Sequence, residues 1–324
     1  PEVCRLKPDR YPLEHGIPPC SSGNNLQTLN SLQKIKEFLI ARLIFVCGIA
    51  TIAVIGLIFL FLLKDAVALF ETYSLKDFLT GRNWYPISEP PVFGALPLIL
   101  GSLLVTAIAV VIAVPLGIGT AIYIAEVAPG WLKETLKPLM EIVAAIPSVV
   151  LAFIGLTILA PWLQNLLNLN TGLTALTGGI MLAFMALPTI VSIAEDAINS
   201  VPRAYRYGSL AMGASRWQTT SRVVVPAAMS GISASVMLGI GRAIGETMVV
   251  LMVTGNAAVM PTSVEAIIKP VRTLTGTIAQ EMGETVFQSP HYFALFAVGL
   301  VLFIITFAVN WAADMVLYRY REGE

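Results

Sequence analysis

Long apolar runs alternate with short polar stretches along this chain, and the runs have the length of membrane crossings. A helix needs about 20 consecutive, mainly apolar residues to span the hydrocarbon layer of a bilayer. Six runs meet that requirement: Leu43–Leu63, Phe93–Ala128, Glu141–Leu163, Gly178–Ala194, Ala227–Val253 and Tyr292–Val316. The pattern predicts an all-α, polytopic membrane protein with six transmembrane helices. Pro115 is expected to kink the second run near Gly117 and Gly119. Pro147 falls near the start of the third run, and Pro226 is placed to start the fifth.

The polar stretches divide the chain. Residues 1–32 are polar and proline-rich, which predicts a cytoplasmic N-terminal extension. The first apolar run comes too late and is too long for a cleavable signal. Residues 33–64 then hold the first transmembrane helix, and 65–92 form an outside loop. Tyr73, Trp84 and Tyr85 in that loop are expected to sit at the membrane surface. Residues 93–324 hold the other five helices and a polar, basic loop at 195–225. A second outside loop covers Gly255–Pro290.

Orientation follows from lysine and arginine placement. With the N-terminus inside, the cytoplasmic segments hold Arg5, Lys7, Arg10, Lys34, Lys36, Arg42, Lys133, Lys137, Arg203, Arg206, Arg216, Arg222, Arg319 and Arg321. The outside loops hold only Lys64, Lys76, Arg82, Lys269 and Arg272. Both termini are therefore expected in the cytoplasm.

The loop at 195–225 can form two short helices. Pro202 suits a first helical turn, and Ala204, Tyr207, Leu210 and Ala211 then give one small apolar face. Gly213 permits a tight turn. Ser215 can cap a second helix that contains Trp217. Such a helix could lie at the headgroups with Trp217 and the arginines as anchors, or offer a docking surface.

Composition removes several function classes. The chain of 324 residues is 56% hydrophobic and only 12% charged, against about 25% charged in soluble domains. Net charge is zero and no basic run occurs, so nothing points to nucleic acid. Cys4, Cys20 and Cys47 lack metal-type spacing and read as inert thiols. His15 and His291 are isolated and are given no chemistry. Histidine, cysteine and aspartate are too sparse in the apolar runs for an intramembrane enzyme. No GxxxxGK[ST] motif appears, so any ATP-driven work needs an ATPase on another chain. The chain itself is expected to be no enzyme and to hold no cofactor. Glu126 and Glu141, which flank the Lys133 loop, read as interfacial charges.

One segment breaks the apolar rule. GIGRAIGETMVV, Gly239–Val250, lies inside the fifth run and carries Arg242 and Glu246. Helical spacing would put these two side chains one turn apart on one face. A charge at mid-membrane costs roughly 2.5–3.5 kcal/mol even on lenient insertion scales. The pair is then either a structural ion pair that fixes helix register, or a pathway in which Arg242 meets a passing anion and Glu246 holds it. Gly239, Gly241 and Gly245 give this helix a thin side for close packing.

Gly213, followed thirteen positions on by Pro226 behind Val223, Val224 and Val225, resembles the "EAA" loop of ABC-importer permeases. The acidic-Ala-Ala triplet of that loop is replaced here by Tyr207, Gly208 and Ser209. IAVPLGIGTAIYIAEVAP (Ile112–Pro129), AAIPSVV (Ala144–Val150) and GRAIGETM (Gly241–Met248) resemble the phosphate permeases of the Pst system. GRAIGETM and the FGALP start of the second run are nearer the PstC type than the PstA type.

That resemblance implies a type I ABC importer permease fold and several partners. These are a homologous PstA-like permease, two PstB-like ATPase subunits that bind the ATP, a periplasmic PstS-like phosphate-binding protein, and the lipid bilayer. It places Arg242 and Glu246 in the phosphate pathway. It places Ala204, Tyr207, Gly208, Ser209, Gly213 and Ala214 in the loop that couples to the ATPase. A permease for another oxyanion, sulfate or molybdate, is the rival reading, as is the PstA-type phosphate permease. An ATP-independent transporter would lack the ATPase partner.

Overall fold

The computed structural model describes the backbone of residues 23–321 and the side chains of residues 37–312 and of Met315. Cys4, His15, Cys20 and the side chains of Arg319 and Arg321 lie outside the described residues. The chain divides into two units, Pro1–Ile58 and Phe59–Glu324.

The described part of the first unit is one helix. Helix α1 runs Gly23–Phe70, beyond the apolar run at both ends. No glycine or proline stands between Asn24 and Cys47, so nothing in the polar approach stops a helix from forming.

The second unit opens with the end of α1, a short helix α2 (Leu75–Thr80) and an antiparallel hairpin of β1 (Trp84–Tyr85) and β2 (Val92–Phe93). Helix α3 (Leu96–Ile122) follows and widens into a π turn at Tyr123–Val127. Next come α4 (Gly130–Ala145), then α5 (Ser148–Ile154), which continues through a π turn into α6 (Ala160–Leu167), and then α7 (Ala175–Ser200). Helices α8 (Arg203–Ala211) and α9 (Arg216–Thr219) form the polar loop. A π turn joins α9 to α10 (Val225–Ala227). Helices α11 (Met229–Gly245) and α12 (Met248–Val253) follow, then α13 (Leu274–Glu281) and α14 (Pro290–Arg321).

Among the described residues, five helical segments are long and apolar enough to cross a bilayer: Glu37–Phe70, Leu96–Val127, Ser148–Leu167, Ala175–Ser200 and Pro290–Ala312. Arg216–Ala227 and Met229–Gly245 pass the same test only together, and they meet at 69° across Ala228. The described residues thus form an almost wholly helical membrane protein with five candidate spans, or six if that bent pair counts as one.

The centre of the second unit is the seam between α3 and α7. Gly178 and Gly179 on α7 meet Val105, Ile108 and Thr254, while Gly117 on α3 meets Ile190. Small residues are what bring two helices close where lipid gives no hydrophobic drive between them. Val105, Ala109, Ala113, Leu182, Ala186, Ile190, Val249 and Val253 fill the resulting core.

The structure corrects three expectations. The third span begins at Ser148, not Glu141. Gly130–Ala145 is a separate helix with no buried residue, and Lys133, Lys137 and Glu141 recur along it. Pro147 caps the true span. Pro115 lies inside α3, which runs on through Gly117 and Gly119 to Ile122. The stretch Gly255–Pro290 is no plain loop, because α13 packs against α12, α14 and α3. Trp84 is no surface anchor, because it is buried in the hairpin core beside Phe78 and Phe93.

Candidate functional site

The apolar run that carries Arg242 is not one helix. Helix α11 ends at Gly245, and Glu246 is extended, with φ −70° and ψ 133°. The expected pairing of Arg242 and Glu246 one turn apart is therefore overturned. Glu246 turns its carboxylate forward instead. Oε1 accepts the backbone N–H groups of Met248 at 3.0 Å and Val249 at 3.4 Å. The opening donors of a helix have no intrahelical acceptor, and a carboxylate there satisfies them. The carbonyl of Glu246 is also bound, by the Thr275 hydroxyl of α13 at 2.9 Å.

Arg242 remains on the last turn of α11, and its side chain is exposed. Its Nη1 donates to the Thr189 hydroxyl of α7 at 2.9 Å. No carboxylate lies within ion-pair distance of it among the described residues. A guanidinium has five N–H donors in a planar fork, so most of them are left for another acceptor. Of the three glycines, Gly239 faces Ile190 of α7, Gly241 lies near Asn310 of α14, and Gly245 has open space around it.

Helix α13 is tied at both ends. At its start, the Thr273 hydroxyl accepts Gly276 N–H and the Ser102 hydroxyl of α3 accepts Leu274 N–H. At its end, Glu281 takes the Trp84 indole N–H at 3.1 Å and Arg272 Nη1 at 2.5 Å. His291 Nε2 sits 2.8 Å from Oε2, the oxygen that takes the indole, while Arg272 meets Oε1. His291 is thus not isolated. The break in the spanning helix, α13 and the hairpin form one hydrogen-bonded chain of contacts.

The polar loop keeps the form expected of it. Ala204, Tyr207, Gly208 and Ser209 lie on α8, Gly213 turns the chain at φ +85°, and Ala214 follows. Ser215 and Gln218 form a reciprocal capping box on α9. Pro202 stands one position earlier than expected, as the cap of α8, and Pro226 lies inside the helical segment that ends at the 69° bend. Tyr207 and Met212 are exposed, and Ser209 bonds Thr219 at 3.0 Å.

One ionic contact fixes this loop to the spans, and a second set ties α4 to α7 beside it. Arg206 places Nη2 2.7 Å and Nε 3.0 Å from Oε1 of Glu126 and also donates to the carbonyls of Ile198 and Val201. Glu126, read as an interfacial charge, is the anchor of α8. Glu195, buried on α7, takes Lys133 and Lys137 of α4 at 3.2 Å each, and Asn199 as well. Asp196 and then Glu195 hold the Lys137 ammonium above its ordinary value of 10.5. Thr189, Thr275 and the Glu281 cluster escaped sequence reading, since threonines and one glutamate in mixed segments carry no spacing signal.

Among the described residues, no group of three or more His, Cys, Asp or Glu side chains is placed to hold a metal ion. What the site offers is a cation at the end of a broken spanning helix and a structured basic loop.

Residues 113–322 match the family model "Binding-protein-dependent transport system inner membrane component". The chain is 45% identical over 231 residues to the "Probable ABC transporter permease protein YqgH" of Bacillus subtilis, covering 71% of this chain and 74% of that one. It is 39% identical over 262 residues to the "Phosphate transport system permease protein PstC" of Mesorhizobium japonicum, covering 75% and 78%. Among solved structures, a bacterial ABC transporter involved in import of the acidic polysaccharide alginate has a chain that aligns with a TM-score of 0.59 at 15% identity. The alignment covers 90% of this chain and 99% of that one.

Proposed function

This chain belongs to the inner-membrane components of binding-protein-dependent transport systems, and from that premise we propose that it is the PstC-type permease subunit of an ATP-driven phosphate importer. Relatives named as PstC phosphate permeases, at 32–39% identity over most of the chain, support the substrate. The type I ABC importer permease fold supports the architecture. In this reading a PstA-like permease completes the pathway and two PstB-like ATPases bind and hydrolyse ATP, so that this chain carries no cofactor of its own. A PstS-like binding protein delivers phosphate from outside, and both termini lie in the cytoplasm.

The observation that carries the mechanism is Arg242, a cation in the fifth apolar run whose one side-chain partner among the described residues is a neutral hydroxyl. Phosphate carries one to two negative charges, and an apolar corridor would exclude it. A planar guanidinium lowers that barrier and matches two phosphate oxygens at once. Thr189 holds the fork in place without neutralising it. Glu246 acts differently from a counter-ion: it holds the break open by capping α12, so that Arg242 ends its helix beside a gap in the backbone. The second permease would close the exposed side of Arg242 away from lipid. ATP binding and hydrolysis in the partners would rock α8 and α9, and alternate access follows.

Uptake of labelled phosphate by cells or vesicles with the assembled importer tests this. Arg242→Gln is expected to abolish uptake while all subunits still co-purify. Arg242→Lys is expected to impair uptake, because a point charge lacks the two-pronged contact. Normal uptake by Arg242→Gln would sink the assignment.

A further inference from the structure

The loop that couples to the ATPase lacks the family's glutamate, and the structure offers charge of the opposite sign in its place. Tyr207 stands at the glutamate position. It lines an open cavity of about 600 Å³, together with Lys133, Arg203, Arg206, Arg216 and Glu126. Four cations and one carboxylate thus face a single concavity.

The charges are not equally available. Glu126 is engaged by Arg206, so these two cancel. Lys133 is engaged by the buried Glu195. Arg203 and Arg216 are the first residues of α8 and α9, and both are exposed. Neither has a carboxylate within ion-pair distance among the described residues. Two guanidinium groups therefore open onto one polar concavity with no anion to meet. Exposed Met212 and Trp217 stand on the same loop, an apolar flank beside the charged recess.

We infer that the partner ATPase docks on this loop by a carboxylate side chain seated between Arg203 and Arg216, so that the usual sign of the ionic contact is reversed. The inference rests on the reading of α8 and α9 as the ATPase-docking loop. Charge complementarity selects the occupant: a recess with a surplus of two guanidinium groups favours Asp or Glu and rejects a cationic side chain. Arginine's fork suits a carboxylate held bidentately. The loss of glutamate at position 207 follows, since an acid there would fill the recess from the permease's own side and cancel the site.

The test is co-purification of the importer from cells that express all its subunits. In Arg203→Glu/Arg216→Glu the ATPase is expected to fall at least tenfold in the purified complex, while the second permease is retained. Arg203→Lys/Arg216→Lys is expected to keep most of it. Changing one acidic residue on the permease-facing side of the ATPase to Arg is expected to restore recovery with the reversed permease. Wild-type docking should also weaken as salt rises from 50 to about 500 mM, because partly exposed charge pairs are screened. That readout needs no variant to fold.

Unchanged ATPase recovery in the reversed permease would overturn the inference. So would recovery that stays normal in detergent while activity in vesicles loses its dependence on an anionic phospholipid; the recess would then hold a headgroup. Gly213→Val/Met212→Arg at the loop tip separates the two levels. If that change leaves ATPase recovery intact, the docking role of the loop itself is wrong. If it removes the ATPase and the arginine reversal does not, only the carboxylate contact is wrong.

Discussion

At the scale of single residues, Glu246 shows how a backbone need overrides a charge pattern. Four residues after an arginine, a glutamate on a helix is the ordinary partner. Here the helix stops one residue before it, and two unpaired N–H groups of α12 lie nearer than the guanidinium. The carboxylate goes to the backbone. Glu246→Ala therefore removes a cap, and cap losses cost about 0.5–2 kcal/mol. Its thermal midpoint in detergent is expected to fall by a few degrees, with uptake reduced but measurable. Glu246→Gln keeps an oxygen acceptor and is expected to lie between Ala and wild type in both. A direct counter-ion would behave otherwise. Removing it would leave stability nearly unchanged and would trap phosphate on Arg242, which binding measurements on the purified importer would reveal.

At the scale of elements, the loop of α8 and α9 was legible and the helix break was not. Gly213 and Ser215 each carry a local signal, positive φ for one and an N-cap for the other, and the chain obeys both. Gly213→Ala keeps the size small but meets φ +85° with a Cβ, although nothing crowds that position. The strain alone is expected to cost about 1 kcal/mol or more, to shift the tip of α8 and α9, and to lower phosphate-stimulated ATPase activity severalfold with the complex intact. Equal activity would mean that the turn tolerates a wide range of shapes. The break at Glu246 had no such signal. Gly245 and Thr247 are weak helix formers, but GIGRAIGETMVV is apolar on either side, and hydropathy reads it as one run. What ends the helix is tertiary: the Thr275 hydroxyl on α13, 29 residues away, takes the Glu246 carbonyl. The start of the third span failed for a related reason. Ile142–Ala145 is apolar and adjoins the true span, so only Pro147 and the charged face of α4 mark the boundary.

At the scale of the whole second unit, charged residues near the ends of the spans and in the segments between them act as ties between elements. One set joins α4, α7 and α8 through Glu195 and Glu126. The other joins the hairpin, α13 and α14 through Glu281, which answers the Trp84 indole, Arg272 and His291 together. Arg272 also holds the Asn256 carbonyl at 2.9 Å, and α13 runs from this cluster to the helix break. Both ends of α13 are thus fixed, one by a carboxylate and one by hydroxyls. Glu281→Ala would leave the Trp84 indole, which is largely covered, without its acceptor, and would leave Arg272, also largely covered, without its carboxylate. Breaking a buried ionic contact from one side costs about 3–5 kcal/mol, and the partial exposure of Arg272 and His291 puts the expected loss at the low end. Hydrogen exchange should then quicken in β1, β2 and α13 and at Glu246–Val249, while α8 and α9 keep wild-type protection. Phosphate uptake should fall although Arg242 is untouched, since the gap beside it would lose its strut. If exchange quickens only in the hairpin and uptake is unchanged, α13 does not hold the break, and the capping carboxylate of Glu246 suffices by itself.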